Sequence, residues 1–222
     1  MDTQTAGASY ERSLGRSTRK ANGVYYSPEP LVTYMVEATV GELLSRCESA
    51  EQALALRVYD PACGAGYFLV AAFRRIRDWL QTRGTELTPG LLRAIQEGCL
   101  FGRDVDRAAL EVARLELPFA NLTAENSLRA RDGRRFHAVL GNPPYGVDTG
   151  SKGDSSRLFI EHALSSLEPG GLHSFIVPKP LLYSSTWHAT LARLMPGILE
   201  LVDCGAAWAD VKLEQVIYVY AA

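Results

Sequence analysis

From Pro30 onward apolar residues recur at helical spacing, at Val32, Met35, Val36, Val40, Leu43 and Leu44. Pro28 and Pro30 just upstream suit an extended approach and a first-turn proline, so the spacing predicts a first helix here. Thereafter short apolar runs ending in polar or glycine-containing turns alternate with longer stretches of helical period, the pattern of a parallel sheet with crossover helices. Seven runs predict strands: Leu56 to Tyr59, Cys99 to Gly102, Asn121 to Thr123, Phe136 to Leu140, His173 to Val177, Ile198 to Asp203 and Val216 to Tyr220. Leu69, Phe73, Ile76 and Leu80 form one helical stripe between them, and Ile160, Ala163, Leu164 and Leu167 another before a Gly170-Gly171 stop. The last connection, Gly205 to Gln215, has few apolar positions at helical spacing, which predicts a turn and an antiparallel final pair.

Residues 1–22 mix Ser, Thr, Gly, Arg and Lys without periodicity and read as a mobile arm, leaving 23–222 as one domain. The polar loop Asp148 to Arg157 also reads as mobile. A length of 222 residues with 47% hydrophobic and 22% charged residues fits a single globular core and excludes a disordered chain or a disulfide scaffold. No run approaches a membrane span and the polar start lacks the apolar segment of a signal peptide, so the expected address is the cytosol. The four cysteines and four histidines show no ligand spacing, and no metal site is expected. With 23 Lys and Arg against 25 Asp and Glu the net charge is -2, whereas a module that grips DNA through phosphates is usually basic; if the substrate is nucleic acid, the main grip is expected elsewhere.

Three segments carry chemistry. The first strand runs into Asp60-Pro-Ala-Cys-Gly-Ala-Gly-Tyr-Phe68 and then a helix, placing an acid and a glycine turn where open α/β sheets bind ligands. Gly64 and Gly66 permit close backbone approach, the amides opening the helix suit an anion, and Asp60 attracts an amine; a zwitterionic amino acid satisfies both. The second strand ends in Asp104, placed to accept ribose hydroxyls, with Asp106 as the cap of the next helix. The fourth delivers Asn142-Pro-Pro-Tyr145, where two prolines fix the backbone and remove two donors. The carbonyl groups of Asn142 and Pro143 then form a stiff pair of acceptors for a planar NH2, and Tyr145 offers a face on which a base or amide stacks.

Together these segments resemble S-adenosylmethionine-dependent adenine-N6 DNA methyltransferases of the gamma arrangement, in which a methionine-binding segment, here Gly23-Val-Tyr-Tyr-Ser-Pro28, precedes the glycine loop. The resemblance implies an α/β, Rossmann-like class I methyltransferase fold: a seven-stranded, mostly parallel sheet with an antiparallel last strand and helices on both faces. It implies Tyr26 and Ser27 at the cofactor's methionine, and Asp60, Ala62, Cys63, Gly64 and Gly66 at its amino-acid end. Asp104 would take the ribose, Val105 the adenine ring, and Asn126 the adenine amine in place of the family's usual aspartate. Asn142, Pro143, Pro144 and Tyr145 would form the catalytic turn, Asn142 bordering the cofactor as well, and Trp208 would face Tyr145 across a flipped adenine. Family members that read a sequence carry a target-recognition domain after the final strand. Two residues follow Tyr220 here, so recognition is expected from another domain or subunit. Protein-glutamine N5 and RNA guanine-N2 methyltransferases share the turn and stand as alternatives, as does a noncatalytic cofactor-binding subunit.

Overall fold

A computed structural model describes residues 27–130, 133–145, 155–206 and 213–222. The arm expected over 1–22, together with Tyr26 and Trp208, lies outside them. Pro28 starts the first helix: its carbonyl accepts the N–H groups of Leu31 (2.9 Å) and Val32 (3.1 Å). α1 (Glu29–Val36) continues through a π turn (Glu37–Gly41) into α2 (Glu42–Ser45). The π turn inserts an extra residue and rotates the helix, so that Val32, Met35 and Val36 before it and Leu43 and Leu44 after it are all buried.

The chain then forms α3 (Ala50–Leu54), β1 (Val58–Asp60), α4 (Tyr67–Thr82), α5 (Pro89–Cys99), β2 (Leu100–Asp104), α6 (Arg107–Glu116), β3 (Asn121–Ala124) and β4 (Phe136–Gly141). There follow α7 (Ser155–Ser166), β5 (Leu167–Pro178), α8 (His188–Leu194), β6 (Ile198–Gly205) and β7 (Gln215–Ala221). The seven strands make one sheet in the order β3-β2-β1-β4-β5-β7-β6. The first five are parallel, and β7 runs antiparallel to both β5 and β6. The order reverses direction at β1, whose neighbours are β2 and β4, so a crevice opens beyond the carboxyl ends of these strands.

Side chains alternate between two cores. Val58, Ala138, Leu140, Leu172 and Ile217 join α1, α4, α5 and α6 on one face; Tyr59, Val139, Phe175, Val177 and Tyr218 join α7 and α8 on the other. Sequential strands move outward from β1 to β3 with their helices on the first face, then back through β4 and β5 with α7 on the second, as right-handed crossovers require. Between β5 and β7 a buried polar couple completes the layer: Tyr218 bonds His173 Nε2 (2.6 Å), and His173 Nδ1 donates to the Val139 carbonyl (2.9 Å). Burial holds this imidazole neutral by pushing its pKa down to about 4.

All seven expected strands form, with shifted ends. Leu56 and Arg57 precede β1, and Cys99 closes α5 instead of opening β2. Leu167 begins β5 opposite Phe136 instead of ending a helix. Ser155 to Arg157, read as loop, are the first turn of α7, while 146–154 lie outside the described residues. β6 forms one edge of the sheet with Leu199 57% and Leu201 46% exposed.

Candidate active site

The glycine loop is tied down by backbone donors and acceptors before any ligand is considered. Gly66, at φ 84°, ends the turn and opens α4, and its N–H donates to the Cys63 carbonyl (2.7 Å). Cys63 N–H donates to the Arg103 carbonyl (3.0 Å), fastening the loop to β2. Gly64 N–H donates to Asp104 Oδ2 (2.8 Å), and Asp106 N–H donates to the other oxygen, Oδ1 (2.8 Å). Asp104 therefore holds the two strand-end loops together, and each oxygen keeps a further lone pair for a ligand hydroxyl. Asp106 caps α6 as expected, its Oδ1 accepting from Ala108 (2.9 Å) and Ala109 (3.2 Å).

Gly64, at φ 49°, has open space where a Cβ would stand, so the loop leaves room for a guest. Val105, next to Asp104, is 71% exposed and offers an apolar platform on the same rim. Asp60 is only 1% exposed, and its Oδ1 accepts from Ala62 N–H (3.0 Å). Burial, reinforced by the charge of Asp104, drives its pKa up to about 8 against the pull of the Ala62 hydrogen bond. Burial likewise raises Asp104. Two adjacent carboxylates held above their ordinary range are a site that an ammonium group would stabilise.

The proline turn lies alongside. β1 pairs with β4 through Tyr59 and Val139, which sets Asp60 against Gly141: a Cβ at 141 would stand 2.6 Å from Asp60 Oδ1. The next residue is Asn142. Its Nδ2 donates to Ser27 Oγ (3.3 Å), while its Oδ1 is buried and has no hydrogen-bond partner among the described residues. An unmet buried acceptor costs about 1–3 kcal/mol, and a donor from a guest would recover it. Pro143 is buried, and the Pro144 carbonyl accepts from Ser155 Oγ, which pins the turn to the start of α7. Tyr145 is half-buried at the end of the turn. Asn126 is exposed, and its Oδ1 accepts from Leu128 N–H (3.0 Å), so the oxygen expected at the adenine amine already serves a short 3-10 turn.

The structure thus brings Ser27, Asp60, Gly64, Gly66, Asp104, Val105 and the proline turn to one end of the sheet. Three contributors escaped the sequence reading. Ser127, buried after β3, donates to the Pro61 carbonyl and props the loop from beneath. Gly102 makes room for it, since a Cβ there would meet Cys63 Sγ, Leu69 and Leu122 at 2.8 Å. Gly141 makes room for Asp60, and its place directly before Asn142 was the available signal. No group of three or more metal-ligating side chains exists among the described residues.

The strand order, the glycine loop after β1, the acid after β2 and the proline turn after β4 define a class I S-adenosylmethionine-dependent methyltransferase fold. The chain belongs to the N-6 DNA Methylase family, which it matches over residues 2–195. It is 23% identical over 219 residues to the type II methyltransferase M.VspI of Vibrio sp. (strain 343), covering 88% of this chain and 47% of that protein. It is 24% identical over 216 residues to the type I restriction enzyme EcoKI methylase subunit of Escherichia coli (strain K12), covering 80% of this chain and 36% of that protein. The fold matches the methyltransferase subunit of a type I restriction-modification system from Streptococcus thermophilus with a TM-score of 0.66 at 18% identity, over 96% of this chain and 48% of that one. The chain therefore spans about half or less of the length of these relatives.

Proposed function

We propose that the protein transfers the methyl group of S-adenosylmethionine to N6 of an adenine in DNA, as the catalytic part of a restriction-modification methylase. The observation that carries this reading is the buried Oδ1 of Asn142, which has no hydrogen-bond partner among the described residues and lies one residue from the glycine that covers Asp60. An amine that needs two acceptors meets them where an ammonium-binding acid marks the amino-acid end of the cofactor. The N-6 DNA Methylase family and the names of the relatives, a type I restriction enzyme methylase subunit and a type II methyltransferase, point the same way.

The residues fit that cofactor. Asp60 would hold its ammonium, the main-chain amides opening α4 after Gly66 together with the Ser27 hydroxyl its carboxylate, Asp104 its ribose and Val105 its adenine. Ser27 and Tyr26 would border the methionine, and Asn126 would keep one lone pair for the adenine amine. When bound, the cofactor supplies an electrophilic methyl on a sulfonium. Asn142 Oδ1 and the Pro143 carbonyl draw the two N6 hydrogens into the plane of the turn and point the nitrogen's lone pair at that carbon. Tyr145 stacks on the extruded ring, with Trp208 expected opposite, and stacking offsets an unstacking cost of a few kcal/mol. The nitrogen, once methylated, would give its extra proton to water, since the turn contains no strong base. Catalysis on this reading is mainly orientation.

Recognition of a target sequence belongs to a partner domain or subunit, consistent with a net charge of -2 that does not favour phosphate binding. No helix among the described residues is long and apolar enough to cross a membrane. The test pairs calorimetry with tritium transfer from the cofactor to DNA, RNA and glutamine-bearing protein substrates. Asn142→Ala is expected to bind cofactor within about twofold of the parent and to lose at least about a hundredfold in transfer to DNA. Transfer to the protein glutamine with none to DNA would overturn the substrate assignment.

A further inference from the structure

We propose that Ser27 is a positioning residue that decides which end of the Asn142 amide faces the substrate amine, and that it does so by donating its hydroxyl hydrogen bond to the carboxylate of the bound cofactor. The inference deepens the functional reading above and rests on it.

Two X-Pro dipeptides bring these side chains together. Ser27 precedes Pro28 and Asn142 precedes Pro143, so both are restricted to extended backbone. Ser27 is 3% exposed at the foot of α1, and Asn142 follows directly from the buried β4. Neither main chain can swing away, and the hydroxyl and amide meet at 3.3 Å.

An asparagine amide has two unlike ends of nearly the same shape. Only the oxygen end can accept from an NH2 group; the nitrogen end would meet it with hydrogens. In the structure Nδ2 is turned to Ser27 and Oδ1 is left buried without a hydrogen-bond partner among the described residues. Rotating the amide by half a turn would not cure this, because the nitrogen's hydrogens would then be the unmet group. A serine hydroxyl by itself is indifferent, since it donates one proton and accepts through two lone pairs. The pair alone therefore leaves the two orientations close in energy.

The balance tips once the hydroxyl's single hydrogen is committed. Ser27 stands at the methionine end of the proposed cofactor site, where a carboxylate arrives. With its O–H pointed at that anion as a hydrogen-bond donor, Ser27 Oγ has only lone pairs left to offer Asn142, and only Nδ2 can meet it. Asn142 Oδ1 is then held toward the cleft beside the Pro143 carbonyl. The acceptor pair for the base is completed when the cofactor is present, so cofactor and adenine bind with positive coupling.

The amide is observable without turnover. In an 15N-labelled protein the Asn142 NH2 resonances are identified by their disappearance in Asn142→Asp. S-adenosylhomocysteine, which keeps the carboxylate and lacks the methyl, is expected to shift this pair and slow its hydrogen exchange in the parent. In Ser27→Ala, at ligand saturation verified by calorimetry, the pair stays where it is in the free protein. Ser27→Cys fills the same volume with a weak hydrogen-bonding group and is expected to behave like the alanine variant, which separates the effect from a packing defect. In transfer assays at saturating cofactor, Ser27→Ala lowers kcat about tenfold, the worth of one hydrogen bond, and Ser27→Thr restores most of it. The same change made in Asn142→Asp costs less than about twofold, since a carboxylate presents oxygen at both ends and has no wrong orientation. An increase in cofactor KM with kcat intact, or an equal loss in both backgrounds, overturns the proposal and makes Ser27 a cofactor contact only. If the parent methylates a protein glutamine and not adenine, the substrate reading fails, while an amide shift that Ser27→Ala abolishes still upholds the pair.

Discussion

At the scale of single residues the site depends on space left empty for a carboxylate. Asp60 is anchored by its own backbone and by Ala62, so it cannot withdraw from a side chain grown at position 141. Gly141→Ala would place a Cβ 2.6 Å from Oδ1 and 3.0 Å from Cγ. The expected cost is about 1–3 kcal/mol of stability, read from a thermal melt, with cofactor affinity weakened at least about tenfold. The same carboxylate gives the protein a pH signature. In the unfolded chain it titrates near the ordinary value of 3.8, and in the folded one at about 8. Below the lower value it is protonated in both states and costs nothing; through the window between them folding takes up a proton; above the upper value the penalty for a buried charge is complete. Its contribution therefore makes the protein less stable as pH rises from about 4 to about 8. Asp60→Asn removes that slope, so its stability relative to the parent should grow across the window by on the order of a few kcal/mol. Urea midpoints of both proteins at three pH values check this, and a constant difference would refute it.

Elements were readable where local chemistry and tertiary packing agreed. The stripe Leu69, Ile76 and Leu80 is fully buried in α4, and Asp106 caps α6. Because the bond from Asp106 to Asp104 is made by the main-chain N–H and survives truncation of the side chain, Asp106→Ala should cost about 1 kcal/mol and lower Tm by about 2–4 °C, with cofactor affinity within about twofold of the parent in calorimetry. α5 went unread although Thr88 before Pro89 is a start signal: its hydroxyl accepts from Leu91 N–H (3.2 Å) and the proline stands in the first turn. Cys99 was drawn into β2 because the end of a buried helix and the start of a buried strand are equally apolar; Ile95 and Cys99 are both fully buried. Asp104 was readable as a candidate ligand acid from its place at a strand end. The task the structure gives it, accepting the N–H groups of Gly64 and Asp106, depends on a loop forty residues away and could not be counted from composition. Ser27 and Asn142 are 115 residues apart, and only the folded chain shows that their two pre-proline backbones face each other.

For the whole molecule, the reversal of strand order at β1 explains why residues as far apart in sequence as Ser27 and Tyr145 converge on one crevice, and why the helices sort onto two faces. The two margins of the sheet are unlike. At β3 the strand is short and polar, the Leu122 carbonyl is taken by Arg114 (2.9 Å), and the Asn121 amide reaches back to Glu97 (2.8 Å) and Leu100 (3.0 Å). β6 is twice that length and carries Leu199 and Leu201 in the open. A long border strand whose leucines no described residue covers offers its free edge to the border of a neighbouring copy, and self-association that grows with concentration is the expected outcome. Leu201→Lys should blunt that margin, lowering the apparent mass of concentrated samples in light scattering while methyl transfer at the far crevice proceeds as before.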